Sequence, residues 1–170
     1  MAKALLIIAQ RNFNETEYST TKSVLESNKI KTITASISKS EAVGMKGMKV
    51  NPDKTVAEAL KEEYDAVVII GGSGSPTLAD YPEVIQIIKK HNEAGKVLAA
   101  ICLGPAILSK AGVLKNVMAT VFPTDWSVSM LTREGAHYFD KNVVVDGKIV
   151  TANGPQAAKE FAQAISKLLS

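Results

Sequence analysis

A chain of 170 residues with 46% hydrophobic and 22% charged side chains has the size and composition of one globular domain, residues 1–170. It is long enough to bury a core without disulfides or a structural metal. Twenty basic against seventeen acidic residues leave a formal charge of +3 with no Lys/Arg stripe among aromatics, which excludes a nucleic-acid footprint. One cysteine cannot form an intramolecular disulfide, the first apolar run is too short for a signal peptide, and nothing approaches the roughly 18 apolar residues of a membrane span. The expected setting is cytoplasmic, with neither membrane nor nucleic acid as partner.

Residues 3–9 are an apolar run that turns polar at Gln10-Arg11-Asn12, the pattern of a buried parallel strand leaving its sheet. A helix is expected over 15–28 with Val24 and Leu25 inward, and Asn14 with Glu17 has the spacing of a capping box. A second strand follows over 30–37. Residues 38–53, rich in Gly, Lys and Ser, read as a hairpin or loop excursion. A short amphipathic helix is expected over 55–63, and 65–70 is the clearest buried strand, ending on Gly71-Gly72. Next come a helix over 82–94 stopped by Gly95, a strand over 97–101, and a helix over 104–111 stopped by Gly112. The pattern then predicts a strand over 117–122, a helix over 127–134, a hairpin of 143–145 with 149–151 turning on Asp146-Gly147, and a closing amphipathic helix over 156–169.

Strands alternating with helices predict an α/β fold with a mostly parallel, doubly wound sheet sandwiched by helices. Ligands of such sheets sit beyond the carboxyl ends of the strands, which singles out 10–17, 71–76 and 102–105. Ala99-Ala100-Ile101-Cys102-Leu103-Gly104-Pro105 passes from strand to helix with no residue to spare, so Cys102 projects from the turn as on a nucleophile elbow. Facing the positive end of the following helix, its thiolate is expected to be stabilised. The alternative is a small buried apolar residue. Gly71 and Gly72 would let the backbone approach a bound group, and free amides there could join those of Leu103 and Gly104 in an oxyanion hole. A plain tight turn is the other reading of that pair.

Residues 65–72, the elbow with Ala111-Gly112-Val113-Leu114, Val143-Val144-Val145-Asp146-Gly147 and Val150-Thr151 together resemble the ThiJ/PfpI family, from Lys3 to the last helix. That family includes the parkinsonism-associated deglycase, bacterial oxidative-stress chaperones and archaeal intracellular proteases. The resemblance implies a flavodoxin-like, class I glutamine amidotransferase-like sandwich with Cys102 as nucleophile. It also implies a glutamate touching the sulfur, which falls on Glu17, with Glu15 as the second candidate. A carboxyl there would be held protonated by the like charge and could donate to sulfur or relay a proton. It implies no cofactor, and at least a homodimer, with a higher homo-oligomer as the alternative.

The pattern breaks after the cysteine. The protease-like branch carries a histidine at the position of Leu103 and a glutamate in the stretch matching Ser73-Gly74-Ser75-Pro76, and both are missing here. The deglycase-like branch takes a histidine from later in the chain, where His137 stands; an exposed surface histidine is the other reading of His137. His91, beside Lys89 and Lys90, is expected to face solvent. Two histidines and one cysteine give no metal-site spacing. The expected function is cysteine-dependent action on small reactive carbonyls, glyoxalase- or deglycase-like, with Glu17 relaying the proton. The alternatives are a redox sensor or chaperone working through oxidation of Cys102 and, weaker, an intracellular peptidase.

Overall fold

The computed structural model describes all of residues 1–170. The elements run β1 (Lys3–Ile7), β2 (Arg11–Phe13), α1 (Glu15–Ser27), β3 (Lys31–Ser36), β4 (Ala42–Gly44), β5 (Lys49–Val50), β6 (Lys54–Thr55) and α2 (Val56–Ala59). They continue with β7 (Ala66–Ile69), α3 (Pro82–Glu93), β8 (Val97–Ile101), α4 (Gly104–Lys110), β9 (Met118–Ala119), α5 (Asp125–Arg133), β10 (His137–Tyr138), β11 (Val143–Asp146), β12 (Ile149–Ala152) and α6 (Ala158–Leu169). Seven strands form one sheet in the order β11-β12-β8-β7-β1-β3-β6. Its pairs are parallel except for the antiparallel edge β11–β12. This is the helix-sandwiched, flavodoxin-like α/β architecture that the sequence predicts.

The central strands read as unbroken apolar runs because both of their faces are covered. Successive side chains of a strand point to opposite faces. Leu5, Ile7, Val67, Ile69 and Leu98 therefore pack with Val84, Ile87 and Ile88 of α3 and Ile107 and Leu108 of α4. The alternate residues Leu6, Ile8, Val68, Ile70 and Ile101 pack with Leu25 of α1 and Phe161 and Ile165 of α6. Each of these fully buried aliphatic side chains contributes on the order of 2 kcal/mol. Three strands of this sheet, β1, β7 and β8, end side by side, and the polar segments after them meet there.

Four expectations are corrected. Residues 38–53 hold the expected hairpin, β4–β5, but the polar stretch after β1, read as leaving the sheet, pairs with it as β2, giving a separate three-stranded sheet. Glu15 fastens that hairpin, its Oε2 accepting from the amides of Lys46 (2.6 Å) and Met48 (3.2 Å). Of 117–122, only Met118–Ala119 pairs, with β10 and apart from the main sheet. The rest is drawn to the elbow, Phe122 N–H donating to the Cys102 carbonyl at 2.8 Å. The helix over 55–63 shrinks to α2, whose start is fixed by a reciprocal Thr55–Glu58 capping box.

His91 is the fourth. It is 2% exposed, not solvent-facing. Val84, Ile87, Ile88 and His91 follow the i, i+3, i+4, i+7 spacing of one helix face, so periodicity outweighs the neighbouring lysines. Its Nε2 accepts from Tyr64 N–H at 3.2 Å, so Nδ1 carries the proton and donates to the Ile87 carbonyl at 3.0 Å. Burial pushes its pKa down, which suits a neutral ring.

Candidate functional site

β8 ends at Ile101 and α4 begins at Gly104, leaving two residues to reverse the chain. Cys102 takes the turn with φ +65, a left-handed conformation that costs a non-glycine residue about 1 kcal/mol or more. Two backbone bonds hold it there: its N–H donates to Ala152 at 2.9 Å, and its carbonyl accepts from Phe122. A Cβ on Gly104 would lie 3.0 Å from the Ile69 carbonyl, so that glycine lets α4 pack closely on the end of β7.

The strand exit at Gly71-Gly72 lies directly against the elbow. A Cβ on Gly71 would stand 2.5 Å from Cys102 Cβ and 2.6 Å from Glu17 Oε1. Gly71 N–H donates to Glu17 Oε1 at 2.9 Å, and its carbonyl accepts from Asn14 N–H at 2.9 Å. Gly71 is thus fully committed to α1 and has no amide left for an oxyanion. Gly72 has φ +119, and a Cβ there would stand 2.4 Å from the Asn12 carbonyl. Gly71 thus admits the Cys102 and Glu17 side chains, and Gly72 admits the chain's own residues 12–14.

Glu17 is completely buried in the first turn of α1. Only half of the capping box forms. Asn14 Oδ1 accepts from Glu17 N–H at 3.0 Å, but the Glu17 side chain turns inward instead of back to Asn14. Its Oε2 has no nitrogen or oxygen partner, and the carboxyl lies against the Cys102 thiol. Burial pushes the Glu17 carboxyl up to about 7, against the opposing pull of the Gly71 amide and the thiol. Cys102, 7% exposed, is pushed up to about 12 by burial first and then by the charge of Glu17, while the amides of Gly72 and Leu103 act in the other direction. The two groups are coupled, and ionisation of the carboxyl opposes ionisation of the thiol. Burial and the neighbouring carboxylate therefore oppose the stabilisation that the helix end and the two amides offer the thiolate.

The fold brings together Cys102, Glu17, Gly71, Gly72 and Leu103. It does not add Glu15, which is spent on the hairpin. His137 begins β10 on the surface, its backbone paired with Met118, and its ring bonds to neither member of the pair. Sequence reasoning missed two neighbours. Asn14, visible as a helix cap, also grips the Gly71 carbonyl through its backbone. Phe122 reaches the elbow through a contact twenty residues away in sequence, and no local signal announces it. No group of three or more His, Cys, Asp or Glu side chains converges, and no helix is long and apolar enough to cross a membrane.

Known proteins carry the same architecture. A ThiJ/PfpI domain protein from Brachyspira murdochii superposes with a TM-score of 0.93 at 34% identity, covering 98% of this chain and 95% of its own. A Methanocaldococcus jannaschii protein is 38% identical over 99% of this chain and 82% of its own length. The glutathione-independent glyoxalase DJR-1.2 of Caenorhabditis elegans is 28% identical over 98% of this chain and 88% of its own. The DJ-1/PfpI family model matches residues 2–168. With the elbow, the buried glutamate and the sheet order in place, the chain belongs to the DJ-1/PfpI family.

Proposed function

We propose that the protein is a cysteine-dependent enzyme acting on small reactive carbonyls, with 2-oxoaldehydes as the substrate class. The observation that carries this reading is the Glu17 carboxyl, buried with one oxygen unpartnered against the Cys102 thiol. A carboxyl titrating near 7 is matched to proton transfer at neutral pH. As Cys102 attacks the aldehyde carbon, the S–C bond forms, the thiol proton passes to Glu17, and the carbonyl π pair becomes an alkoxide. The amides of Gly72 and Leu103, which support the sulfur as it loses its proton, are the donors available to that oxygen. Glu17 returns its proton to the alkoxide, giving a neutral hemithioacetal, and then takes the proton from the former aldehyde carbon and delivers it to the adjacent one. The resulting thioester is released by water as a 2-hydroxy acid with the thiol restored. The name of the C. elegans relative, a glutathione-independent glyoxalase, supports this reading.

The test is methylglyoxal consumption by the wild type, Cys102→Ala and Glu17→Gln. Turnover lost in both variants is expected, and no consumption above buffer by the wild type overturns the reading. A redox role is the second reading, favoured by the same carboxyl, which could hydrogen-bond a sulfinate on Cys102. Intact mass after mild peroxide, with two added oxygens on Cys102, would support it. A peptidase mechanism is disfavoured by Leu103, which can take no proton. A homodimer belongs to this reading, to be checked by light scattering.

A further inference from the structure

The elbow has an apolar border that the proton chemistry does not use. Phe122 is tied on both sides: its N–H to the Cys102 carbonyl at 2.8 Å, and its carbonyl to Ser127 Oγ at the capped start of α5. Its backbone is thus fixed beside the nucleophile, while its side chain remains 42% exposed. Trp126, the only tryptophan in the chain, stands in the first turn of α5 and is 45% exposed. Scattered exposed apolar residues are ordinary. These two differ because hydrogen bonds join their segment to the residue that performs the chemistry. On the chain side away from Glu17 and the glycine pair, the elbow is followed by Leu103 and bonded through its backbone to Ala152, both apolar residues. The strongest charge acting on Cys102 is the negative one of Glu17. Arg11 serves a different cleft, lined with Ser73 and Thr77, to which Cys102 does not contribute.

From this arrangement we infer that Phe122, flanked by Trp126, is the specificity wall of the site and selects 2-oxoaldehydes bearing an apolar or aromatic substituent over small hydrophilic or anionic ones. This rests on the carbonyl reading above. Attack at the aldehyde carbon leaves the substituent of the adjacent ketone outside the narrow turn, where an apolar ring on a fixed backbone can cover it. A carboxylate in that place would stand near the charge of Glu17.

The experiment compares kcat/KM for phenylglyoxal, methylglyoxal and the anionic 2-oxoaldehyde 4,5-dioxovalerate in the wild type, Phe122→Ala and Phe122→Leu. Because the aldehydes differ in intrinsic reactivity, the readout is the change in their ratio between proteins. The phenylglyoxal-to-methylglyoxal ratio is expected to fall roughly tenfold in Phe122→Ala, the order set by one apolar contact, and to be largely kept in Phe122→Leu. A ratio that stays within about twofold of wild type in Phe122→Ala overturns the inference, as does 4,5-dioxovalerate turning over as well as phenylglyoxal in the wild type. A second measurement needs no turnover: the rate of Cys102 alkylation by N-phenylmaleimide relative to N-methylmaleimide, followed by intact mass. That ratio is expected to fall in the same variant. If no aldehyde is consumed by any protein, the carbonyl reading fails, and the maleimide ratio alone decides whether the wall exists. Should Phe122→Ala lower the melting temperature, Phe122→Gln keeps the side-chain length and carries the same comparison.

Discussion

His91 on α3 and Glu17 on α1 are both shut away from water, at 2% and 0% exposure, yet only His91 has every polar atom matched. The ring donates to Ile87 and accepts from Tyr64, and nothing near it asks for a second proton. The carboxyl has one oxygen on Gly71 and the other without a partner, and it lies beside the Cys102 thiol. Burial moves both groups toward their neutral forms, which raises the acid and lowers the base. The difference teaches how to sort buried ionisable groups. A satisfied one belongs to the architecture, and an unsatisfied one beside a nucleophile belongs to the chemistry.

The largest expected effect breaks the pair at the chemical end. Glu17→Gln keeps the shape and removes the proton relay, so kcat for methylglyoxal should fall by about 10²–10⁴. The rise of the wild-type rate through about pH 7 should vanish with it. A Gln variant that keeps both the rate and the pH profile would return Glu17 to the architectural class.

Stability offers the next contrast, and here the two residues act with opposite signs. Folded Glu17 holds its proton to about 7, against an ordinary 4.5, so the folded state binds more protons between those values. Stability must then fall as pH rises through that window, by about 3 kcal/mol in all. Glu17→Gln should flatten this limb, and it should be more stable than wild type at pH 8 but not at pH 4. Urea unfolding at the two pH values measures it, and an unchanged slope would contradict the buried carboxyl.

Close packing at the site gives a smaller effect. Gly71→Ala forces a methyl to 2.5 Å from Cys102 Cβ and should cost about 1–3 kcal/mol together with activity. Gly95→Ala has open space around the new methyl and only its φ of +70 to strain, so it should cost less and leave turnover alone. Melting temperatures of the two variants, beside their rates, separate crowding from strain. Smallest is the loss at the acid end. Unfolded His91 takes a proton in the ordinary range near 6.5 and the folded ring resists it, so stability falls as pH drops below that range. His91→Gln should lose this acid-side fall while turnover persists; a variant that keeps the fall would point to another group.

The sheet and most helices were readable from the sequence because their signals are local. The unbroken apolar runs of β1, β7 and β8, and Gly95 and Gly112 after α3 and α4, need no distant partner to be recognised. The hairpin sheet was not readable in full, since the polar Arg11-Asn12 becomes a strand only by meeting Val43 and Gly44 thirty residues on. At the site, Cys102 stood out through its strand-to-helix spacing, and Glu17 through family resemblance. The upward push on the thiol did not follow from spacing, because it depends on burial of the sulfur and on the charge of Glu17, which arrives from a distant helix. Phe122 was hidden for the same reason as the hairpin: its bond to Cys102 is a fact of topology, not of pattern.

The bond from Asn14 N–H to the Gly71 carbonyl reaches further than one contact. In a trans peptide the carbonyl of one residue and the N–H of the next share a rigid plane and point in opposite directions. Gripping the Gly71 oxygen from the α1 side therefore aims the Gly72 N–H the other way, toward the sulfur that it contacts. Two adjacent glycines would otherwise be the place in this chain most prone to a peptide flip. The first turn of α1 thus serves as a sight as well as a support. It aligns the Gly72 amide on the sulfur that Glu17 approaches from its own side, so the donor is in position before any substrate arrives.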